Sequence, residues 1–274
     1  MSALIPNHLV FSRFRMTSVK FGRKPRTYNP AIPHMSALLA RGDLPPPPLS
    51  VDYTAGMPDD LGEFLNDQLG DCTCAAYYHA RQVWSFNARG AAITEPDSDV
   101  LALYEQACGY SPSDPTSDQG GVEQDVLTYL LNTGAPVGAD GSQRDKILAF
   151  LEVDFRNLDD LKRTIADCGV AYIGIEVPQS VVSGDEPPAL WDYDPSNAAI
   201  AGGHAVILVA YDPDTFTCIS WGKRYKISHG FLGEYLREAY ALADPAWIRA
   251  TGQTPLNMTV QELEAQMAAL RMAG

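Results

Sequence analysis

Two short segments, far apart in the chain, constrain its fold more than any other feature. Asn66-Asp-Gln-Leu-Gly-Asp-Cys72-Thr-Cys74 sets a cysteine after a glycine turn, at the start of a helical apolar pattern. Gly202-Gly-His204-Ala-Val206 sets a histidine after two glycines, at the start of an apolar run. A thiol nucleophile and its base have this form before folding: a Cys and a His in opposite halves, brought together only by closure of one half on the other.

The apolar patterns support such a two-part chain. Helices are expected at Cys72–Asn87, Ser98–Cys108 and Val122–Leu131. A further helix is expected at 158–167 and a strand at Val170–Val177. Two more strands, His204–Tyr211 and Phe216–Trp221, are joined by the turn Asp212-Pro-Asp214. Phe231–Leu242 reads as a helix. Thr259-Val-Gln-Glu262 is a capping-box pattern opening a last helix, with Leu263, Met267 and Leu270 on one face. The expected domains are an arm over 1–50, a body over 51–250 divided near residue 140, and a tail over 251–274.

The 274 residues carry a formal net charge of −14, which disfavours nucleic acid as a partner of the bulk surface. The charge is uneven. The first 50 residues hold seven Lys/Arg, including Arg13, Arg15, Arg23, Arg26 and Arg41, against one acid, Asp43. They also hold eight of the 20 prolines, four of them as Pro45-Pro-Pro-Pro48. This reads as an extended basic arm on an acidic body. Such an arm packs on its own body by charge complementarity or docks on a neighbouring protein. Pro6, Asn7 and His8 stand where a secretory signal would be apolar. The five cysteines, an odd number with no secretion signal, read as free thiols. No second close-spaced Cys/His pair suggests zinc, and no cofactor is expected. The longest apolar run, 198–211, is too short to span a membrane.

Several segments, taken in order, resemble the papain-type cysteine peptidases. These are Pro48-Leu-Ser-Val-Asp52, Asn66 to Cys72, Asp118-Gln-Gly-Gly121 with Leu127-Thr-Tyr129, Leu158 to Val177, Gly203-His204-Ala-Val-Ile-Leu-Val-Ala-Tyr211, and Ser220-Trp-Gly222. The wording also resembles that of tailed-phage and prophage proteins. The resemblance implies an α+β fold: a helical half, an antiparallel β half, and a cleft between them behind the N-terminal arm. It implies Cys72 as nucleophile, His204 as base, and Trp221 as a shield over the imidazole. Counting six residues back from Cys72 gives Asn66 as the oxyanion-hole amide. Counting back from the competing thiol, Cys74, gives Gln68, the family's usual residue type. The orienting Asn of the family is replaced by Ile219, which leaves Ser220, a backbone carbonyl or Asp212 to hold the ring. The implied activity is cleavage of a peptide or isopeptide bond in a peptide or protein substrate. The alternative is a catalytically degenerate scaffold in a phage particle, with protein partners held by residues 1–50 and the C-terminal helix; the expected location is the host cytoplasm during assembly, or the virion. A papain-like propeptide is usually a helical domain, which the proline-rich arm does not resemble.

Overall fold

The computed structural model describes residues 19–39, 45–138 and 141–268. Arg13, Arg15, Arg41, Asp43, Asp140, Leu270 and the 6–8 stretch lie outside the described residues. The first half of the body is helical: α1 (Cys72–Arg89), α2 (Asp97–Cys108) and α3 (Glu123–Asn132). Gly90 and Gly109 end the first two helices in the left-handed conformation, where a glycine costs least. The second half is built on strands, which run β1 (Ala149–Glu152), β2 (Ala171–Pro178), β3 (Ile200–Tyr211), β4 (Thr215–Ser220), β5 (Lys223–Ser228) and β6 (Leu236–Ala243). Among the described residues they join an eight-stranded sheet in the order β1-β6-β2-β3-β4-β5, with Leu190–Trp191 on the far edge and Val51–Asp52 beside β3. All pairings are antiparallel except that of Leu190–Trp191 with β5.

This is the expected α+β layout, with one correction. Only His229–Tyr235 of the 231–242 segment enters a helix, and Leu236–Ala243 is strand β6. Gly233 weakens a helix there. Beyond it every residue of Leu236–Ala243 except the partly exposed Arg237 is buried in a strand between β1 and β2.

The longest helix, α1, crosses the middle of the molecule and packs on β3. That contact brings the start of α1 to the glycine-rich start of β3. The last helix, Val260–Gln266, has the expected capping box at Thr259 and Glu262. Leu263 and Met267 are buried on the body, with Met267 against Phe150 of β1.

The described part of the arm packs on its own body. Ile32 and Met35 enter the core, Arg26 pairs with Glu152, and the Glu152 N–H donates to the Pro33 carbonyl at 2.9 Å. Charge complementarity and apolar anchors act together here.

Candidate active site

Cys72 is the first residue of α1, and Asp71 occupies the N-cap. The Asp71 carbonyl accepts the N–H groups of Cys74 and Ala75, while its side chain caps nothing. Asp71 is completely buried, and burial holds its carboxyl well above the usual carboxylate range. The Cys72 sulfur accepts the Ala205 N–H at 3.4 Å, so the thiol lies against the residue that follows His204. Cys74 points into the core beside Cys108. The geometry therefore places Cys72, not Cys74, at the cleft.

His204 is buried on β3. Its Nε2 lies 2.8 Å from the Ser220 hydroxyl, and its Nδ1 has no hydrogen-bond partner among the described residues. Ser220 thus holds the ring. Ile219, one residue earlier on β4, is fully buried in the core and paired with Ile207. Trp221 lies flat on the imidazole, with ring centroids 4.5 Å apart and an interplanar angle of 16°. Ser220 and Lys223 pair across a two-residue hairpin turn. Trp221 and Gly222 occupy the turn with φ of 45° and 72°. Positive φ at both central residues is the demand of the tight hairpin, and a tryptophan accepts it here at a cost in backbone strain. That turn is what lays the indole on His204.

The two amide candidates separate. Asn66 is buried, and its Nδ2 donates to the Leu69 carbonyl at 3.1 Å. Gln68 is solvent-exposed, and its side-chain amide donates to the neighbouring Asp67 carboxylate. The turn before α1 directs Gln68 outward, so it is not brought to the site.

The cleft is filled by the chain's own arm. Val19 to Lys24 of the arm run through it. The Lys20 N–H donates to the Asn66 carbonyl at 3.3 Å, and the Arg23 N–H to the Gly203 carbonyl at 3.0 Å. Gly121 donates to the Gly22 carbonyl and accepts from the Lys24 N–H, both at 2.8 Å, in a parallel bridge. Phe21 sits edge-on to both His204 and Trp221. A Cβ built on Gly22 would lie 1.7 Å from the Gly70 carbonyl oxygen. Only glycine fits that point of the arm.

Burial sets the chemistry of the pair. It pushes the Cys72 thiol up to about 12, against smaller opposing effects of the Ala205 and Gly22 N–H groups. It pushes His204 down to about 3, with His79 adding to the effect. His79 bonds Gln82 through Nδ1 at 2.9 Å and stays within α1 as a structural group. In this closed form the pair is a neutral thiol and a neutral imidazole. Among the described residues no group of His, Cys, Asp and Glu side chains is arranged to hold a metal, and no helix is long and apolar enough to cross a membrane.

No family model matches the chain, and no curated protein matches it. Solved structures do match. Xylellain, a cysteine protease from Xylella fastidiosa, superposes with a TM-score of 0.63 at 16% identity, covering 84% of this chain and 98% of that one. Digestive procathepsin L 3 of Tenebrio molitor larval midgut gives 0.53 at 13%, covering 84% and 76%. Procathepsin B S9 from Trypanosoma congolense gives 0.54 at 12%, covering 83% of each chain. The fold is that of the papain-like cysteine proteases.

Proposed function

We propose that the protein is a papain-like cysteine hydrolase of peptide or isopeptide bonds, held inactive by its own N-terminal arm. One observation carries this reading: Cys72 at the start of α1 and His204 on β3 lie under one strip of chain, with the imidazole fixed by Ser220 and Trp221. Once the arm has left, water and substrate reach the thiol and the desolvation that opposes ionisation falls away. Donation of the Nε2 proton to Ser220 leaves the Nδ1 lone pair as the base. It takes the Cys72 proton as sulfur attacks the carbonyl carbon. The oxyanion meets the first N–H groups of α1 and the Asn66 amide. The imidazolium then protonates the leaving amine, and a water, deprotonated by the same nitrogen, releases the acyl group and restores the thiol.

A second reading is a papain-like scaffold whose cleft stays filled, with the arm and last helix serving as contacts to other proteins, as in a phage particle. Ile219 in place of the family's Asn, and a pair held neutral by burial, favour it. The two readings separate in the full-length Gly22→Val variant, whose added side chain cannot pass Gly70. If the chain is a hydrolase, a peptidyl epoxide labels Cys72 in this variant far faster than in the wild type, and His204→Ala abolishes the gain. Labelling at the rate of an ordinary free thiol, indifferent to His204, would overturn the hydrolase.

A further inference from the structure

Beside the thiol, the arm also fills a second buried site. The Arg23 side chain, 4% exposed, enters a recess between α3, β2 and β6. Its Nε donates to Glu238 Oε1 at 2.7 Å, and a terminal nitrogen lies 2.6 Å from the same oxygen. The Tyr240 hydroxyl donates to Glu238 Oε2 at 2.7 Å, which fixes that carboxylate. Glu123 Oε1 is 3.6 Å from Arg23 Nε. Both Glu123 carboxyl oxygens are buried and, among the described residues, without a hydrogen-bond partner.

The recess is built into the body. Gly174 is itself buried in the middle of β2, where glycine packs poorly. A Cβ there would stand 2.2 Å from Arg23 Nε, 2.5 Å from Glu123 Oε1 and 2.7 Å from Glu238 Cγ. The missing side chain is the space that the guanidinium occupies. Without the arm, two carboxyl groups would face that space with no cation, an arrangement that burial makes costly. Burial, and then Glu238, push Glu123 well above the usual carboxylate range, so the recess suits a single positive charge.

We propose that this recess is the specificity pocket of the cleft and selects an arginine side chain in the substrate, the residue beside the one held over Cys72. The proposal rests on the peptide-hydrolase reading for its substrate but not for its chemistry of recognition. Arg23 holds the arm by the same contacts that a substrate arginine makes after the arm has gone. A planar guanidinium donates from two nitrogens to one fixed carboxylate, which an ammonium on a flexible stem reproduces poorly.

The test needs no turnover. A peptide of sequence 19–26 is titrated by calorimetry into full-length Gly22→Val carrying Cys72→Ala, beside a twin with citrulline in place of Arg23. Citrulline keeps the shape and removes the charge. The Arg peptide is expected to bind at least about tenfold more tightly, and Glu238→Gln should erase the difference. Equal affinities, or no binding of either peptide, would overturn the pocket. Should Glu238→Gln fail to fold, Glu238→Asp takes its place: it keeps the charge and shortens its reach, and it should narrow the difference between the two peptides. A second measurement uses the otherwise unaltered chain: Arg23→Lys and Arg23→Gln should both speed iodoacetamide labelling of Cys72, and a wild-type rate in Arg23→Lys would overturn selection of a guanidinium. Arg-selective binding without His204-dependent labelling would remove the hydrolase and leave the pocket standing.

Discussion

The thiol–imidazole pair and the Glu123–Glu238 pair lie under the same few residues of arm, and the arm treats them in opposite ways. Over Cys72 and His204 it supplies backbone and the Phe21 ring, so it removes water and offers no charge. Both groups become neutral. Over the carboxylates it supplies a guanidinium, and the charge there is compensated. Desolvation alone makes an ionisable pair neutral, while a buried site that is already charged needs a counter-ion to be covered. One strip of six residues meets both demands because Gly22 and Arg23 are adjacent.

The contrast breaks first at Gly22. In Gly22→Val the thiol loses its cover, and its labelling rate at pH 8 should rise by a hundredfold or more, since a group at about 12 is ionised only to about one part in ten thousand there. In the wild type the rate should climb about tenfold per pH unit through the same range. A flat wild-type profile would contradict the closed pair.

The next effect concerns the imidazole. In the Gly22→Val background His204→Ala should lower activity by about a thousandfold, and Ser220→Ala by about tenfold to a hundredfold, chiefly in kcat and with a shifted pH profile. Ile219→Asn should give no rescue of Ser220→Ala, and it should lower stability by about 1–3 kcal/mol because its amide would enter the core. Recovery of kcat by Ile219→Asn would show that the ring can be held from the family's usual position.

On the carboxylate side, Glu238→Ala leaves the Arg23 cation buried with no partner within hydrogen-bond distance. It should cost about 3 kcal/mol by denaturant unfolding, and Arg23→Ala in the same chain should return part of that loss. Additive losses would deny the coupling. The smallest effect is that of His79, which burial holds down to about 4. A histidine kept neutral in the fold contributes stability that is complete above its unfolded value near 6.5 and is lost as pH falls toward 4. His79→Gln should therefore flatten the fall in melting temperature across that window, and an unchanged slope would exclude His79 as its source.

Much of the fold was legible because it depends on local pattern. The start of α1 follows from Gly70-Asp-Cys72 and its end from Gly90, and the capping box at Thr259 needs only its own four residues. Strand β6 was misread as a helix because Phe231-Leu-Gly-Glu-Tyr carries a helical spacing into a strand whose burial on both faces hides its period. Glu238, a lone acid in that apolar run, and Gly174 in the middle of β2 were visible signals of a polar recess. They gained meaning only when the two strands paired.

The sequence by itself determined the two halves, the cysteine at a helix start and the histidine on a strand, because helix and strand periodicity and glycine turns act over a few residues. Tertiary structure decided what surrounds that pair. Whether Asn66 or Gln68 faces the cleft depends on how one turn is oriented, and Ser220 rather than Ile219 reaches the ring because β4 presents alternate residues to opposite faces. Where the arm lies is set by contacts from Gly22 to Gly70, Gly121 and Cys72 and from Arg23 to Glu238. Each joins residues that chain-local chemistry leaves unrelated.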